Sequence, residues 1–400
     1  MNDIAIVTCS APINIAIVKY WGKRDNELIL PINSSLSTTL SQDDFKTVTT
    51  VMASKSFQRD RVWLNGIELD KLDRRLQNCI RNLREKANER KNERNFQNMC
   101  LHICSYNNFP TSAGLASSAS GYACLVYAIA SLFHLEERWA GELSTCARLG
   151  SGSACRSMYG GWVKWEKGRN QADGNDSIAV QIADQRHWPD IVVLILVFSQ
   201  QQKPISSTEA MQRSMETSTL LPYRAEHIVH HRIELLENAI MTKNFDTFAK
   251  LVMQESNQFH AICLDTYPPI MYLNEQSKSL IKLLSKYNEY HKMIKAAYTF
   301  DAGPNAVIYT LKENFQELKR VLNYYYPRSE ADWEPELIPD QLSTYLDLPV
   351  IKNALKHIIY TNIGGGPKVW PSGPHLLDIA TGLPYAEKVH APPPEPSEPF

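Results

Sequence analysis

The longest apolar run of the chain is IVVLILVF, at residues 191–198. A membrane helix needs about 20 apolar residues, so this run is too short to cross a bilayer and predicts a buried strand instead. Short strand-like segments precede it, at residues 4–10, 48–53, 61–65 and 100–106, and longer helical segments follow it. Strands first, then helices with further strands, favour an α+β fold with two lobes.

The division between the lobes is expected near residue 190, which gives predicted domains at residues 1–190 and 191–378. The end of the chain, VHAPPPEPSEPF, is proline-rich and poor in core residues, so residues 379–400 are predicted to form a disordered tail. Asn65 and Gly66 predict a hairpin turn in the first lobe. Further predicted elements are an amphipathic helix that opens the charged segment 77–98, helices at residues 207–216, 223–253 and 269–287, and a strand-turn-strand at residues 297–311.

The bulk composition does not favour a nucleic acid or a membrane as partner. The 400 residues carry a formal charge of -1, which gives no general electrostatic reason to expect a nucleic acid or an anionic membrane as partner. The first residues, MNDIAIVTCSAP, have no basic segment and do not resemble a signal peptide. The eight cysteines are scattered without a CxxC pair, so we expect free thiols in a reducing compartment, the cytoplasm, and no structural zinc site.

Residues 109–121 read FPTSAGLASSASG and lie between a strand-like segment and an apolar helical one. A strand, a Gly/Ser loop and a helix N-terminus form an arrangement that binds phosphate, because unpaired backbone N–H groups and the helix dipole favour an anion there. Gly114 permits close approach, and Ser117 and Ser118 can donate hydroxyls to phosphate or Mg²⁺. On this stretch alone, a serine-capped helix after a tight turn fits equally well. The chain contains no GxxxxGK[ST] motif, so a P-loop is not indicated.

Two further stretches favour the phosphate interpretation. APINIAIVKYWGKR, at residues 11–24, places Lys19, Lys23 and Arg24 at the end of an apolar strand-like run. RLGSGSACRSMYGG, at residues 148–161, is a second loop of small residues and contains Arg156. Two Gly/Ser loops with two basic clusters can hold two polyphosphates that face each other.

These three stretches and FDAGPNAV, at residues 300–307, occur in an order that resembles the mevalonate diphosphate decarboxylase family of the GHMP kinase superfamily. The resemblance extends from about residue 5 to residue 310 and includes LPINSSLS and ADGNDSIA. It implies a two-lobed GHMP-kinase-like α+β fold, with a left-handed βαβ crossover in the N-terminal ATP-binding lobe and a ferredoxin-like C-terminal lobe. It also implies a homodimer.

The activity implied by the resemblance uses ATP and Mg²⁺ as cofactors and mevalonate 5-diphosphate as the small-molecule substrate. ATP phosphorylates the tertiary 3-hydroxyl, and phosphate and carbon dioxide then leave to give isopentenyl diphosphate for isoprenoid and sterol biosynthesis. A tertiary alkoxide leaves badly, so its conversion to a phosphate ester makes the decarboxylation possible.

The catalytic roles carried over from the family fall on five residues. Asp301 matches the catalytic aspartate near the 3-hydroxyl, where an acid–base group is needed. Arg156 matches the arginine that orients the substrate carboxylate through a bidentate fork, and Asn14 matches the asparagine that helps to hold it. Lys19 would lie near Asp301 and the transferring phosphate, and Ser118 would direct the γ-phosphate.

The resemblance also implies two binding sets. The substrate set comprises Tyr20, Trp21, Gly22, Lys23, Arg75, Ser151, Gly152, Ser153, Ala154, Cys155, Arg156 and Thr208. The ATP set comprises Asn108, Pro110, Ser112, Ala113, Gly114, Leu115, Ala116, Ser117 and Ser118. No protein metal ligand is predicted, since Mg²⁺ would be bound mainly through the ATP phosphates, with the Ser118 hydroxyl as one candidate contact. For Arg75 and Thr208 a neutral surface role fits nearly as well, and His260 is predicted to be an ordinary residue.

Three alternatives remain open from the sequence. A kinase of the same superfamily would phosphorylate a mevalonate derivative without decarboxylation, but it would need no carboxylate-binding arginine such as Arg156 beside Asp301. A serine amidohydrolase would need a lysine and serine relay within the Gly/Ser stretches. A non-catalytic binding protein of this fold would bind ATP and would not depend on Asp301.

Overall fold

The computed structural model describes residues 4–90, 95–109, 117–199, 205–327 and 337–385. Its strands are β1 (Ile4–Pro12), β2 (Asn14–Val18), β3 (Lys23–Asp25), β4 (Leu30–Pro31), β5 (Ser35–Thr39), β6 (Lys46–Ser54), β7 (Arg61–Leu64), β8 (Ile67–Glu68), β9 (Cys100–Asn107), β10 (Trp162–Trp165), β11 (Ala179–Ala183), β12 (Ile191–Val197), β13 (Ala296–Phe300), β14 (Ala306–Leu311), β15 (His357–Asn362) and β16 (Lys368–Val369). Its α-helices are α1 (Arg74–Glu89), α2 (Ser117–Leu132), α3 (Glu142–Gly150), α4 (Ser207–Thr217), α5 (Leu220–Tyr223), α6 (Val229–Met241), α7 (Phe245–Asp265), α8 (Glu275–His291), α9 (Lys312–Tyr325) and α10 (Asp340–Leu346).

The strands form three larger sheets and one short hairpin. The first sheet has the order β16-β1-β6-β9-β7-β8, in which β7 and β9 run parallel and the other neighbours run antiparallel. The second has the order β11-β10-β5-β2 and the third the order β13-β14-β12-β15, both antiparallel. The predicted mixture of helices and strands in an α+β fold is confirmed. Among the described helices, none combines the length and the apolar character needed to cross a bilayer.

The apolar run at residues 191–198 forms the interior strand β12, as predicted. Strand β12 lies between β14 and β15, and all seven of its residues are buried. Successive side chains of a strand point to opposite faces. Val193 and Ile195 accordingly pack into one core cluster, and Leu194 and Leu196 pack into another. Because both faces of the sheet are covered, the strand has no polar side and its sequence is continuously apolar.

Local patterns also account for several other elements. Asn65 and Gly66 have φ values of 47° and 86°, and they join β7 to β8 in the predicted hairpin. Asp73 caps α1 through a hydrogen bond with the backbone N–H of Leu76, and the helix buries one apolar stripe, as its amphipathic pattern predicted. The predicted strand-turn-strand corresponds to β13 and β14.

Two predicted helices are wrong in their extent. The predicted helix at residues 223–253 is interrupted after Met241, because Lys243 adopts a left-handed φ of 54° and Asn244 starts α7 as its N-cap. The predicted helix at residues 269–287 begins only at Glu275, where Asn274 and Ser277 form a capping box.

The C-terminal segment departs from the predicted domain boundaries. After β15 in the third sheet the chain returns to the first sheet, where β16 pairs with β1. The predicted start of the disordered tail at residue 379 is wrong, because Leu377 pairs with Pro384 and the Gly382 carbonyl accepts a hydrogen bond from His102 at 2.8 Å. The remainder of the predicted tail, residues 386–400, lies outside the described residues.

The two predicted lobes share a hydrophobic core. One core cluster contains Ile15 of β2 and Trp162 of β10 together with Val193 of β12 and Phe248 of α7. Helix α7 packs against both β2 and β13. The ends of these two strands are therefore held together by a buried interface.

We predict that the returning C-terminal segment contributes to stability through Leu377, which is fully buried. Leu377→Ala should lower the free energy of unfolding by about 2–5 kcal/mol, because a large buried side chain is lost. The exposed Leu383 in the same segment provides the control, and Leu383→Ala should change stability by less than about 0.5 kcal/mol. Urea unfolding measures both, and equal stability of the two variants would contradict the buried packing of Leu377.

Candidate active site

A cavity of about 190 Å³ lies where the end of β2, the small-residue loop after α3, the start of α2 and the turn after β13 meet. The predicted site residues that line it are Asn14, Lys19, Tyr20, Trp21, Lys23, Arg75, Ser118, Ser151, Gly152, Ser153, Arg156, Thr208 and Asp301. All five predicted catalytic residues are in this set, although they come from distant parts of the chain.

Lys19 and Asp301 form a salt bridge at one wall of the cavity. The Lys19 Nζ atom lies 2.5 Å from Asp301 Oδ1 and also donates a hydrogen bond to the Ala16 carbonyl at 2.7 Å. The Lys19 side chain is 3% exposed and that of Asp301 is 33% exposed. The ammonium is thus buried behind the carboxylate, which is accessible from the cavity.

Arg156 is a buried cation held by neutral groups. It lies in the 3₁₀ helix Gly152–Met158, where its Nε donates to Asn14 Oδ1 at 3.3 Å and its Nη1 donates to Ser35 Oγ at 2.5 Å. Asn14 is oriented in turn by a hydrogen bond from its Nδ2 to Ser157 Oγ at 2.8 Å. Burial lowers the pKa of the Arg156 guanidinium, which the charge of Asp301 opposes, and within the described residues no carboxylate lies at salt-bridge distance from Arg156. An anion entering the cavity would therefore find a desolvated, bidentate partner.

Three serine hydroxyls form a row between the two Gly/Ser stretches. Ser118 Oγ lies 3.2 Å from Ser151 Oγ, which lies 3.3 Å from Ser153 Oγ. Ser118 is at the N-terminus of α2, so the backbone N–H groups and the dipole of that helix end face the same region. The arrangement suits phosphate oxygens.

Of the predicted ATP set, only Ser118 is found at the cavity among the described residues. Pro110, Ser112, Ala113, Gly114, Leu115 and Ala116 lie outside the described residues, as does the side chain of Ser117. Asn108 does not reach this cavity, since its side chain accepts a hydrogen bond from the Lys46 N–H at 2.8 Å and donates one to the Asp44 carbonyl at 3.1 Å. The Asn108 side chain thus joins two backbone segments next to β6.

Cations surround the outer part of the cavity. Arg75 donates a hydrogen bond to Thr208 Oγ1 at 3.1 Å, which connects α1 to α4. Burial and the neighbouring Arg75 lower the pKa of Lys23. Both cations and Thr208 also line an adjoining open cavity of about 550 Å³, where Arg213 is paired with Glu209 and a second carboxylate, that of Glu216, is present. Lys23 and Arg75 are therefore the cations of this region that can meet a second anionic group.

Aromatic rings form the apolar part of the wall. The Trp21 ring packs edge-on against Phe259 with centroids 4.8 Å apart, and its Nε1 donates to Ser214 Oγ at 2.9 Å. The Tyr20 and Trp165 rings pack in the same way at 4.7 Å, and Gly152 lies directly against them.

The other predicted substrate residues do not line the cavity. Gly22 has a left-handed φ of 96°, which favours glycine there, and it packs against Ile32. Ala154 and Cys155 are fully buried within the 3₁₀ helix Gly152–Met158, and burial raises the pKa of the Cys155 thiol to about 12. This excludes Cys155 as a ready nucleophile.

Sequence reasoning missed several residues that surround the site. Phe259, Met211 and Ile29 line the cavity, but apolar residues at helical or strand spacing carry no functional signal. His260 is buried on α7, and burial together with the nearby Lys19 lowers its pKa to about 3. Its Nε2 has no hydrogen-bond partner among the described residues. The neutral form is therefore the one that the fold accommodates.

No cluster of three or more His, Cys, Asp or Glu side chains suited to a metal ion occurs within the described ranges. The cavity instead offers one carboxylate, on Asp301, and the serine hydroxyls. These groups fit a Mg²⁺ ion that is held mainly by the phosphates of a bound nucleotide.

Comparisons with known proteins agree on one family. Residues 11–179 match the family described as Diphosphomevalonate decarboxylase-like N-terminal domain, and residues 193–370 match Mevalonate 5-diphosphate decarboxylase C-terminal domain. The diphosphomevalonate decarboxylase of Danio rerio is 49% identical, over 97% of this chain and 99% of that protein.

Solved structures give the same result. The mevalonate diphosphate decarboxylase from Trypanosoma brucei has a TM-score of 0.85 at 38% identity, covering 94% of this chain and all of that one. A structure described as a complex with MVAPP, AMPPCP and magnesium has a TM-score of 0.73 at 29% identity, covering 92% of this chain and 99% of that one.

We predict that Gly152 is required for the aromatic wall. A Cβ atom at this position would lie 2.8 Å from Tyr20 Cε1 and 2.9 Å from Trp165 Cη2, so Gly152→Ala should lower the free energy of unfolding by about 1–3 kcal/mol. Gly121 in α2 is the matched control, because its added Cβ would meet nothing within 4 Å. Gly121→Ala should be stabilising by roughly 0.5–1 kcal/mol. Chemical denaturation measures the free energy of unfolding of each variant. Equal destabilisation by Gly152→Ala and Gly121→Ala would contradict the prediction.

We also predict a pH dependence of stability from His260. Its folded-state pKa of about 3 is below the unfolded value, so the unfolded state binds the extra proton and stability falls as the pH falls below about 6.5. Between pH 7 and 5 this single group should cost about 2 kcal/mol. His260→Gln should remove that part of the pH slope in urea titrations.

The exposed His230 is the matched control for this slope, and His230→Gln should leave it unchanged. A wild-type slope that persists in His260→Gln would show that other groups cause it.

Proposed function

The chain belongs to the diphosphomevalonate decarboxylase family, and we propose that the cavity lined by Lys19, Arg156 and Asp301 is its active site. The reaction is the ATP-dependent decarboxylation of (R)-5-diphosphomevalonate to isopentenyl diphosphate, with release of ADP, phosphate and carbon dioxide. It proceeds through phosphorylation of the 3-hydroxyl and belongs to the mevalonate pathway.

The first step is transfer of the γ-phosphoryl group of ATP. The 3-hydroxyl oxygen of the substrate forms a bond to the γ-phosphorus, its proton passes to the Asp301 carboxylate, and the bond to the β-phosphate oxygen breaks to release ADP. The Lys19 ammonium, 2.5 Å from Asp301, keeps that carboxylate in one orientation. Such a transfer depends mainly on positioning and on neutralisation of charge.

The second step is elimination. The bond between C3 and the phosphate oxygen breaks and phosphate leaves with the electron pair. The bond between C1 and C2 then breaks, its electron pair forms the C2–C3 double bond, and the carboxylate leaves as carbon dioxide. Arg156 holds that carboxylate through its planar fork, and Asn14 fixes the fork. The apolar surfaces of Trp21 and Phe259 limit access of water to C3 as positive charge develops.

Binding of the two phosphate-bearing molecules follows the same geometry. Lys23, Arg75 and Thr208 would receive the 5-diphosphate, and the hydroxyls of Ser118 and Ser151 would receive the phosphoryl group in transfer. Mg²⁺ supplies neutralisation of the phosphate charge. A relative solved with MVAPP, AMPPCP and magnesium supports ATP and Mg²⁺ as the cofactors.

The observation that carries this proposal is the buried Arg156 without a carboxylate partner in the described residues, in the same cavity as the Lys19–Asp301 pair. A kinase that leaves the substrate carboxylate in place has no need for this desolvated arginine. An amidohydrolase relay is disfavoured, because Lys19 Nζ donates to Asp301 and to the Ala16 carbonyl and, among the described residues, not to a serine.

Several finer features are part of the proposal. We propose a homodimer that works in the cytoplasm and supplies isoprenoid and sterol synthesis. All eight cysteines are free, which supports a reducing compartment. A division into lobes near residue 190 is supported by the limits of the two family matches, 11–179 and 193–370.

We predict that Asp301→Asn abolishes most of the activity. For the wild-type enzyme, an assay with mevalonate 5-diphosphate and Mg-ATP should show release of ADP and carbon dioxide in equal amounts, with isopentenyl diphosphate as the product. Removal of the proton acceptor should lower kcat by roughly 10²–10⁴-fold. Asp184, a surface aspartate paired with Arg186, is the control, and Asp184→Asn should keep wild-type kcat. Release of ADP without carbon dioxide by the wild type would contradict the decarboxylase assignment.

A further inference from the structure

The backbone of Lys19 is held by buried charged groups on both sides. Its N–H donates to Glu255 Oε1 at 3.0 Å, and its carbonyl accepts from Arg224 Nη2 at 3.0 Å and from Asn33 Nδ2 at 3.2 Å. A residue just after a strand usually exchanges such bonds with neighbouring backbone or water. Here side chains from distant segments replace those partners.

These side chains form one connected network. Glu255 of α7 is fully buried and makes salt bridges with Arg224 and Arg232. Although burial favours the neutral acid, the two arginines keep the pKa of Glu255 below its usual range. Arg224 Nη1 also donates to Asn33 Oδ1 at 3.1 Å, so every member of the network meets another member or Lys19. Arg224 lies in the π-helical turn Arg224–Ile228, an irregularity that often occurs at functional sites.

Helix α7 also supports the acidic partner of Lys19. Ser256 follows Glu255, and its Oγ accepts a hydrogen bond from the backbone N–H of Phe300 at 3.0 Å. Phe300 immediately precedes Asp301. Adjacent residues of one helix therefore hold the backbone on both sides of the Lys19–Asp301 salt bridge.

Stability alone does not account for the network. A buried ion network is often replaceable by apolar side chains without loss of stability, because desolvation of the charges offsets their attraction. The network instead makes its hydrogen bonds to one backbone segment, that of Lys19. The Lys19 side chain reaches the wall of the cavity and is only 3% exposed. Fixing that segment restricts the direction in which the Lys19 Nζ atom can point.

We propose that Glu255 is a positioning residue that acts through Lys19: with Arg224 and Asn33 it holds the Lys19 backbone so that the ammonium meets Asp301. The inference rests on the proposed catalytic roles of Lys19 and Asp301. Glu255 is fully buried and does not line the cavity, so its removal should act on turnover rather than on binding of the diphosphate at Lys23 and Arg75.

The test is a double-mutant cycle on kcat with Glu255→Gln, Lys19→Met and the double variant. Glu255→Gln should lower kcat about 10–100-fold, with KM for mevalonate 5-diphosphate and for ATP changed by less than about threefold. In the Lys19→Met background the same substitution should change kcat by less than about twofold, because residues that act through one group are not additive.

Glu142 provides a matched control, since it is a buried glutamate paired with Lys86 and Arg90 that does not line the cavity. Glu142→Gln should lower stability and leave kcat unchanged. If Glu255→Gln does not fold, Asn33→Ser takes its place in the double-mutant cycle, because it removes one donor to the Lys19 carbonyl. Its effect on kcat should likewise be lost in the Lys19→Met background.

An unchanged kcat in Glu255→Gln, or an equal loss in the presence and absence of Lys19, would overturn the inference. Wild-type kcat in Lys19→Met alone would instead overturn the role of Lys19 in the proposed function. The two failures are therefore distinguishable.

Discussion

The arrangement of the active site depends on the salt bridge between Lys19 and Asp301. Lys19 follows β2 and Asp301 follows β13, so their 2.5 Å contact joins the two predicted lobes at the cavity. A buried ammonium is stable only when it is paired and hydrogen-bonded. Displacement of one strand end relative to the other would leave that charge unpaired, so the fold and the catalytic geometry are constrained together.

In the part of the chain that the structure describes, three arginines are almost completely buried, and each is compensated in a different way. Arg148 donates to the backbone carbonyls of Leu28, Gly174 and Ser177, which joins distant loops. Arg224 pairs with the buried carboxylate of Glu255. Arg156 donates to the neutral oxygens of Asn14 and Ser35 and lies over the Trp165 ring. Neither Arg148 nor Arg156 has a carboxylate partner among the described residues, and of these two it is Arg156 that lines the cavity, where a substrate carboxylate can provide the missing charge.

Local patterns predicted a large part of the fold, because apolar spacing and turn residues act over short distances. Strand β12 and the hairpin at Asn65 and Gly66 were predictable in this way. The interruption at Lys243 was not, since a single left-handed residue leaves the helical pattern intact on both sides. The return of residues 368–385 to the first sheet was also missed, because it depends on partners such as Thr8 and Thr50 that are over 300 residues away.

By itself, the sequence determined which chemical groups the chain brings to its site: the Gly/Ser stretches, the basic residues after β2 and the aspartate at position 301 are readable because each motif is contiguous. Only the tertiary structure decided how they are combined. Glu255 is 236 residues from Lys19, and Ser35 is 121 residues from Arg156. Contacts of this kind leave no periodicity in the sequence, and the charges acquire their energetic importance only when folding removes them from water.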